Sequence, residues 1–189
     1  MSIWQPASRR RRSGVVAVLS RTLIVLAGLP GVGKTTIAHE LARHLGAVHV
    51  RIDSIEQGIR QSALGVVSVE DAGYRAAYAV AEDNLRLGHV VIADSVNPLP
   101  ITRTAWLEVA RRTGARAVPV EIVCADREEH RRRVEQRASN IAGLRLPTWD
   151  DVLARDYQEW DEPRLIVDTA TMNVDVCVRT IAEFAAAGT

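Results

Sequence analysis

The sequence predicts an α/β fold: a parallel β-sheet covered by helices on both faces. Short, continuous apolar runs alternate with amphipathic segments of helical length along the chain. Such runs suit strands buried on both sides, and the alternation calls for parallel crossover connections. At 189 residues, 47% hydrophobic and 25% charged, the chain is long enough for one well-buried domain and has the balance of a soluble globule.

The elements follow in order. Residues 1–20 lack periodic structure and read as a flexible basic tail, so one domain is expected over residues 21–189. Leu23–Ala27 is an apolar run ending at Gly28, the pattern of a buried strand. Ile37, Leu41 and Leu45 recur every four residues and Gly46 follows, which predicts an amphipathic helix with a glycine stop. Val48–Ile52 is a second strand, delivering Asp53 at its carboxyl end. A helix is expected from Ser54 to about Leu64, a loop over 65–68, and a longer helix from Ser68 to Leu87 with Ser68 and Asp71 spaced as a capping box.

Val90–Asp94 gives a third strand. Pro98 and Pro100 form a rigid turn before a helix that carries Trp106 and Val109 and stops at Gly114. Pro119–Cys124 is the fourth strand. An arginine-rich helix is expected from Asp126 to about Asn140, and Thr148 with Asp151 caps a further one. Leu165–Asp168 is the fifth strand and Asn173–Ala187 a closing helix.

Charge and composition narrow the function classes. The formal net charge of +1 gives no global field for gathering nucleic acid or an acidic membrane, although Arg9–Arg12 form a local basic run. That run, followed by Val15–Leu19, imitates a signal peptide. Arg21 interrupts it and no small-residue cleavage site follows, so a tail and a cytoplasmic location are expected. No apolar run reaches 18 residues. Cys124 and Cys177 lie far apart without metal-ligand spacing and read as buried, reduced thiols.

The strongest chemical signal is Gly28-Leu29-Pro30-Gly31-Val32-Gly33-Lys34-Thr35, a complete phosphate-binding loop between a strand and a helix. Glycines at 28, 31 and 33 let the backbone curl with its N–H groups inward, and the following helix turns its positive end toward the anion. Lys34 can reach the β and γ phosphates, and Thr35 offers a hydroxyl to Mg²⁺; Thr36 lies next to it. No Asn-Lys-x-Asp segment for guanine selection is present. A small kinase remains: one domain, an acceptor site over the sheet and an arginine lid.

Asp53, at the ligand edge of the sheet, can take the proton of a substrate hydroxyl, or it can cap the next helix with Glu56. Asp94 ends an apolar strand, where an aspartate can hold a Mg²⁺-bound water beside Thr35; a turn-forming role in Asp94-Ser95-Val96-Asn97-Pro98 is the rival. Asn97 and Arg103 follow on the same edge as candidate acceptor contacts, with Glu56 and Arg60 near Asp53 on a helical count. Arg133 and Arg137, four apart on one predicted helix face, are the candidate lid arginines. Trp106, Trp149 and Trp160 read as packing residues, Trp149 alone lying where it could close over a ligand.

Taken in order, Gly28–Thr35, Asp53, Asp94 and Arg133-Val-Glu-Gln-Arg137 resemble the small P-loop kinases, a grouping that includes chloramphenicol phosphotransferase, zeta toxins, gluconate kinase and the kinase domain of polynucleotide kinase. The resemblance spans about residues 22–187. It implies a P-loop NTPase sheet of five strands in the order 2-3-1-4-5, ATP with Mg²⁺, and γ-phosphoryl transfer to a hydroxyl of a small molecule. It also implies Asp53 as base, lid roles for Arg133 and Arg137, and a segment near adenine over Asp168–Thr171, which brings in Thr169. Pro30, Val32 and Thr36 join the nucleotide-binding set. Two other readings stay open: a slow ATP-hydrolysing switch with a protein partner, and a polynucleotide 5′-kinase. Near-neutral charge, three tyrosines and one phenylalanine disfavour extended nucleic-acid contact. The acceptor and the oligomeric state are not legible.

Overall fold

The computed structural model describes Leu19 and residues 21–63, 65–66 and 68–187. The arginine run at 9–12 lies outside them. Five strands, β1 (Thr22–Ala27), β2 (Val48–Arg51), β3 (Val91–Asp94), β4 (Arg116–Val123) and β5 (Leu165–Asp168), form one parallel sheet in the order β2-β3-β1-β4-β5. Seven helices connect and cover them: α1 (Lys34–Leu45), α2 (Ile52–Arg60), α3 (Ala72–Arg86), α4 (Pro100–Thr113), α5 (Arg127–Gln136), α6 (Trp149–Leu153) and α7 (Val174–Ala186).

β1 is buried along its whole length because it lies at the centre of the sheet. Its side chains alternate between two cores, as strand geometry requires. Ile24 and Leu26 join Ile37 and Leu41 of α1 and Ile181 of α7, while Leu23 and Val25 join Ala77 and Leu85 of α3 and Trp106 and Val109 of α4. Both cysteines are free and buried. No helix among the described residues is long and apolar enough to cross a membrane.

Several boundaries differ from the sequence reading. α3 starts at Ala72, its N-cap Asp71 makes no side-chain cap, and the Ser68–Asp71 box is not formed. α2 starts at Ile52, so Asp53 lies inside the first turn and is not the cap. β4 begins three residues before Pro119, which faces Val25 of β1 at a level where β5 is not yet paired, so its missing N–H breaks no β4–β5 bond. α5 ends at Gln136 instead of continuing to Asn140, and Arg137 is its extended C-cap. The Thr148–Asp151 capping box is formed as expected.

Candidate active site

The carboxyl ends of β1, β2 and β3 open into a cleft of about 1680 Å³. Its floor is the loop from Gly28 to Gly33. Gly28 (φ 136°) runs so close to β4 that an added Cβ would meet the Ile122 carbonyl oxygen at 2.1 Å; its own N–H donates to Val96 O. At Gly31 (φ 89°) a Cβ would stand 2.4 Å from Val134 of α5. The loop is therefore clamped between β4 and α5 and admits only glycine at these points. His130 of α5 completes the clamp, with Nε2 2.8 Å from Pro30 O and its ring edge-on to Trp149. Trp149 thus packs behind the loop and is absent from the cleft wall.

Lys34 opens α1 and is 8% exposed. Its Nζ donates to Leu29 O at 2.9 Å. Burial pulls its pKa down to about 8, against the opposing charges of Asp94 and Asp53 and with a further push from Arg137 and Arg155. Asp94 is buried at the end of β3. Burial alone would raise its carboxyl, but the hydrogen bond from His49 and the charge of Lys34 outweigh it and hold the group below the usual carboxylate range. His49 Nε2 lies 3.1 Å from Asp94 Oδ2. Thr35 and Asp94 both line the cleft and together supply a hydroxyl and a carboxylate, the hard oxygen donors that suit Mg²⁺. The donor set fits the ion.

Asp53 faces the same cleft, 54% exposed, with Arg51 Nη2 at 3.7 Å its one ion-pair partner among the described residues. Glu56 and Arg60 line the wall beside it and pair with each other at 3.1 Å. Across the cleft the segment after α5 forms a roof. Gln57 of α2 and its C-cap Gln61 both donate to Ala142 O, at 3.1 and 3.0 Å, and Arg51 donates to Asn140 Oδ1 at 2.8 Å. The segment after α5 is thereby latched to β2, α2 and the α2 C-cap.

The two expected lid arginines separate because the helix ends between them. Arg133 is held by Glu129 Oε1 at 2.7 Å and by the Thr169 hydroxyl and carbonyl at 2.8 and 3.1 Å. Thr169 lies in reach of Val32 O and Val123 O, so it knits the loop, β4 and α5 together at the cleft wall. Arg137 turns the other way, donates to Pro147 O at 3.3 Å and leaves its buried Nε without a partner. Arg155, which the sequence reading passed over, lines the cleft with Arg137, and no carboxylate lies within ion-pair distance of either among the described residues.

Two expected acceptor contacts are corrected. Asn97, at φ 46° and fully buried, donates to Leu26 O at 2.8 Å and accepts from Trp106 Nε1 at 3.2 Å. Arg103 is 1% exposed; its guanidinium donates to the carbonyls of Pro98, Gln158 and Glu159 and stacks on Trp160 at 4.6 Å. Neither lines the cleft: Asn97 ties the turn after β3 to β1 and α4, and Arg103 ties α4 to the segment before β5. Of the nucleotide set, Pro30, Gly31, Gly33, Lys34, Thr35, Thr36, Arg133 and Thr169 line the cleft, while Gly28 and Val32 shape the loop from beneath. His49, His130 and Arg155 are the residues that sequence reasoning missed; only His49, in the alternating Val-His-Val-Arg of β2, carried a local sign that it shares the face of α1.

Comparison with known proteins agrees with this architecture. The AAA domain family matches residues 23–156. The 6-phosphofructo-2-kinase/fructose-2,6-bisphosphatase 4 proteins of Macaca fascicularis and Homo sapiens are each 29% identical over an alignment taking in 85% of this chain; it spans 37% of their length. Among solved structures, the Mycobacterium tuberculosis APS kinase CysC in complex with AMPPNP and APS superposes with a TM-score of 0.65 at 17% identity, over 87% of this chain and 97% of that one. Kti12 of Chaetomium thermophilum in complex with ADP-AlF3 gives 0.63 at 24%, over 86% and 96%. A gluconokinase from Sinorhizobium meliloti 1021 gives 0.61 at 17%, over 88% and 92%. With the phosphate-binding loop, the strand order and the family match in agreement, the chain belongs to the AAA domain family and has the fold of the small P-loop kinases.

Proposed function

We propose that this protein is an ATP-dependent phosphotransferase that moves the γ-phosphoryl group to a hydroxyl of a small molecule. The observation that carries the reading is one continuous cleft holding Lys34, Thr35 and Asp94 on its donor side and an open carboxylate, Asp53, on its acceptor side. A nucleotide switch has no use for a carboxylate free to activate a hydroxyl. The names of the relatives, a 6-phosphofructo-2-kinase and a gluconokinase, support a small-molecule acceptor.

In this reading the glycine loop cradles the polyphosphate with its N–H groups, and Lys34 leaves Leu29 O to meet the β and γ oxygens. Thr35 and Asp94 would hold Mg²⁺, which would supply charge neutralisation to the phosphates. The acceptor hydroxyl oxygen attacks Pγ in line. Its proton passes to an Asp53 carboxylate oxygen, the bond from Pγ to the bridging oxygen breaks, and ADP departs with that electron pair. Arg137 and Arg155, free of carboxylate partners, offset charge on the transferring group, while Arg133 fixes the wall through Thr169.

The test is an ATP-consumption screen over sugars, nucleosides, antibiotics and oligonucleotide 5′ ends, with Lys34→Ala and Asp53→Asn as controls. A phosphorylated small molecule that disappears in both variants is expected. ATP loss without any phosphorylated product, unchanged by Asp53→Asn, overturns the proposal in favour of a hydrolysing switch.

A further inference from the structure

We infer that His49 is a positioning residue for the Asp94 carboxylate, fixing which of its oxygens is presented to the divalent cation; this rests on the reading of Asp94 as a cation-holding group. The register sets the geometry. His49 lies opposite Ile92, and Asp94 is two residues further along β3 on the same face, so the long imidazole reaches it diagonally across the strands. The pair is secluded: the His49 side chain is 16% exposed and that of Asp94 1%. His39 of α1 closes one flank with its ring edge-on to His49 at 4.9 Å.

The direction of the hydrogen bond follows from charge. A carboxylate can only accept, so His49 Nε2, 3.1 Å from Asp94 Oδ2, is the donor of this contact. Oδ2 is thereby occupied, while the Thr35 hydroxyl and the Lys34 charge act on the same carboxylate. Without His49 the carboxylate keeps only the Thr35 hydroxyl as a side-chain donor and is drawn toward the Lys34 ammonium, whose charge already acts on it. Neighbours that orient a cation-binding group in this way change affinity by about 10–100-fold when removed.

The experiment compares His49→Gln, whose amide nitrogen reaches the place of Nε2, with His49→Asn, whose amide falls short. Both are polar and stand on an edge strand, so both suit the site. Manganese binding to the protein saturated with AMPPNP is measured by titration calorimetry and by the electron paramagnetic resonance of the bound ion. His49→Asn is expected to weaken manganese at least tenfold, His49→Gln to remain within about threefold of wild type, and AMPPNP affinity without metal to stay unchanged in both. Equal weakening in both variants, or none in His49→Asn while Asp94→Asn loses the ion, overturns the inference. Manganese affinity unaffected by Asp94→Asn overturns the reading of Asp94 beneath it.

Discussion

The Lys34 ammonium donates to the carbonyl oxygen of Leu29, five residues back in the same loop, at 2.9 Å. The phosphate-binding lysine is thus buried against its own backbone, and its pKa falls to about 8. A polyphosphate arriving at that position raises it again, because an opposite charge favours the ammonium.

The sign follows. Below pH 8 the lysine is charged before and after binding, and affinity is flat. Above it the free protein has lost the proton that the complex needs, so affinity for AMPPNP without metal falls by up to tenfold per pH unit. Titration calorimetry at pH 8.5 in buffers of different ionisation heat should show proton uptake on binding, and Lys34→Ala should abolish that uptake.

Asp53→Asn removes the proton acceptor and keeps the shape. Transfer should drop by about 10²–10⁴-fold, the usual weight of a positioned base. ATP affinity should stay within threefold, since the proposed mechanism uses Asp53 only toward the acceptor. Single-turnover rates and nucleotide binding measured together separate the two effects.

Arg137→Ala and Arg155→Ala should each lower kcat by about 10³-fold or more, as loss of an arginine from a transferring phosphoryl does. Arg133→Ala should act on the KM for ATP instead, because its guanidinium is committed to Glu129 and Thr169. Steady-state constants for the three variants, each measured against ATP at saturating acceptor, distinguish the roles.

Arg103→Ala takes the guanidinium from the Gln158 and Glu159 carbonyls, leaves Pro98 O with the Gln158 N–H alone, and uncovers Trp160. It should cost about 3 kcal/mol of stability, or roughly 6–12 °C in Tm. The KM for ATP should change little, because the donor half of the cleft does not include this residue.

These contrasts mark what the sequence could disclose. The strands were readable because β1 and β3 are buried on both faces and therefore largely apolar, and the loop was readable from the spacing of its glycines, although the steric demands on Gly28 and Gly31 come from Ile122 and Val134. Long-range partners left no such local sign. Asn97 and Arg103 look like edge residues, yet a positive-φ turn and three carbonyls draw them into the interior. Arg133 and Arg137 share a face only if the helix continues past Gln136, and it does not. His49 and His130 acquire their meaning from Asp94 and Pro30, 45 and 100 residues away.

The latch from Gln57 and Gln61 to the Ala142 carbonyl carries a consequence for traffic. The segment after α5 is tied to α2 and its C-cap, so in the proposed reading the cover of the nucleotide and the wall beside the acceptor move together. Under the proposed function neither substrate leaves while the other is bound, and the two are handled as a ternary assembly. Initial rates plotted against either substrate at several levels of the other should give intersecting lines, never the parallel set of a shuttle that loads and unloads one guest at a time.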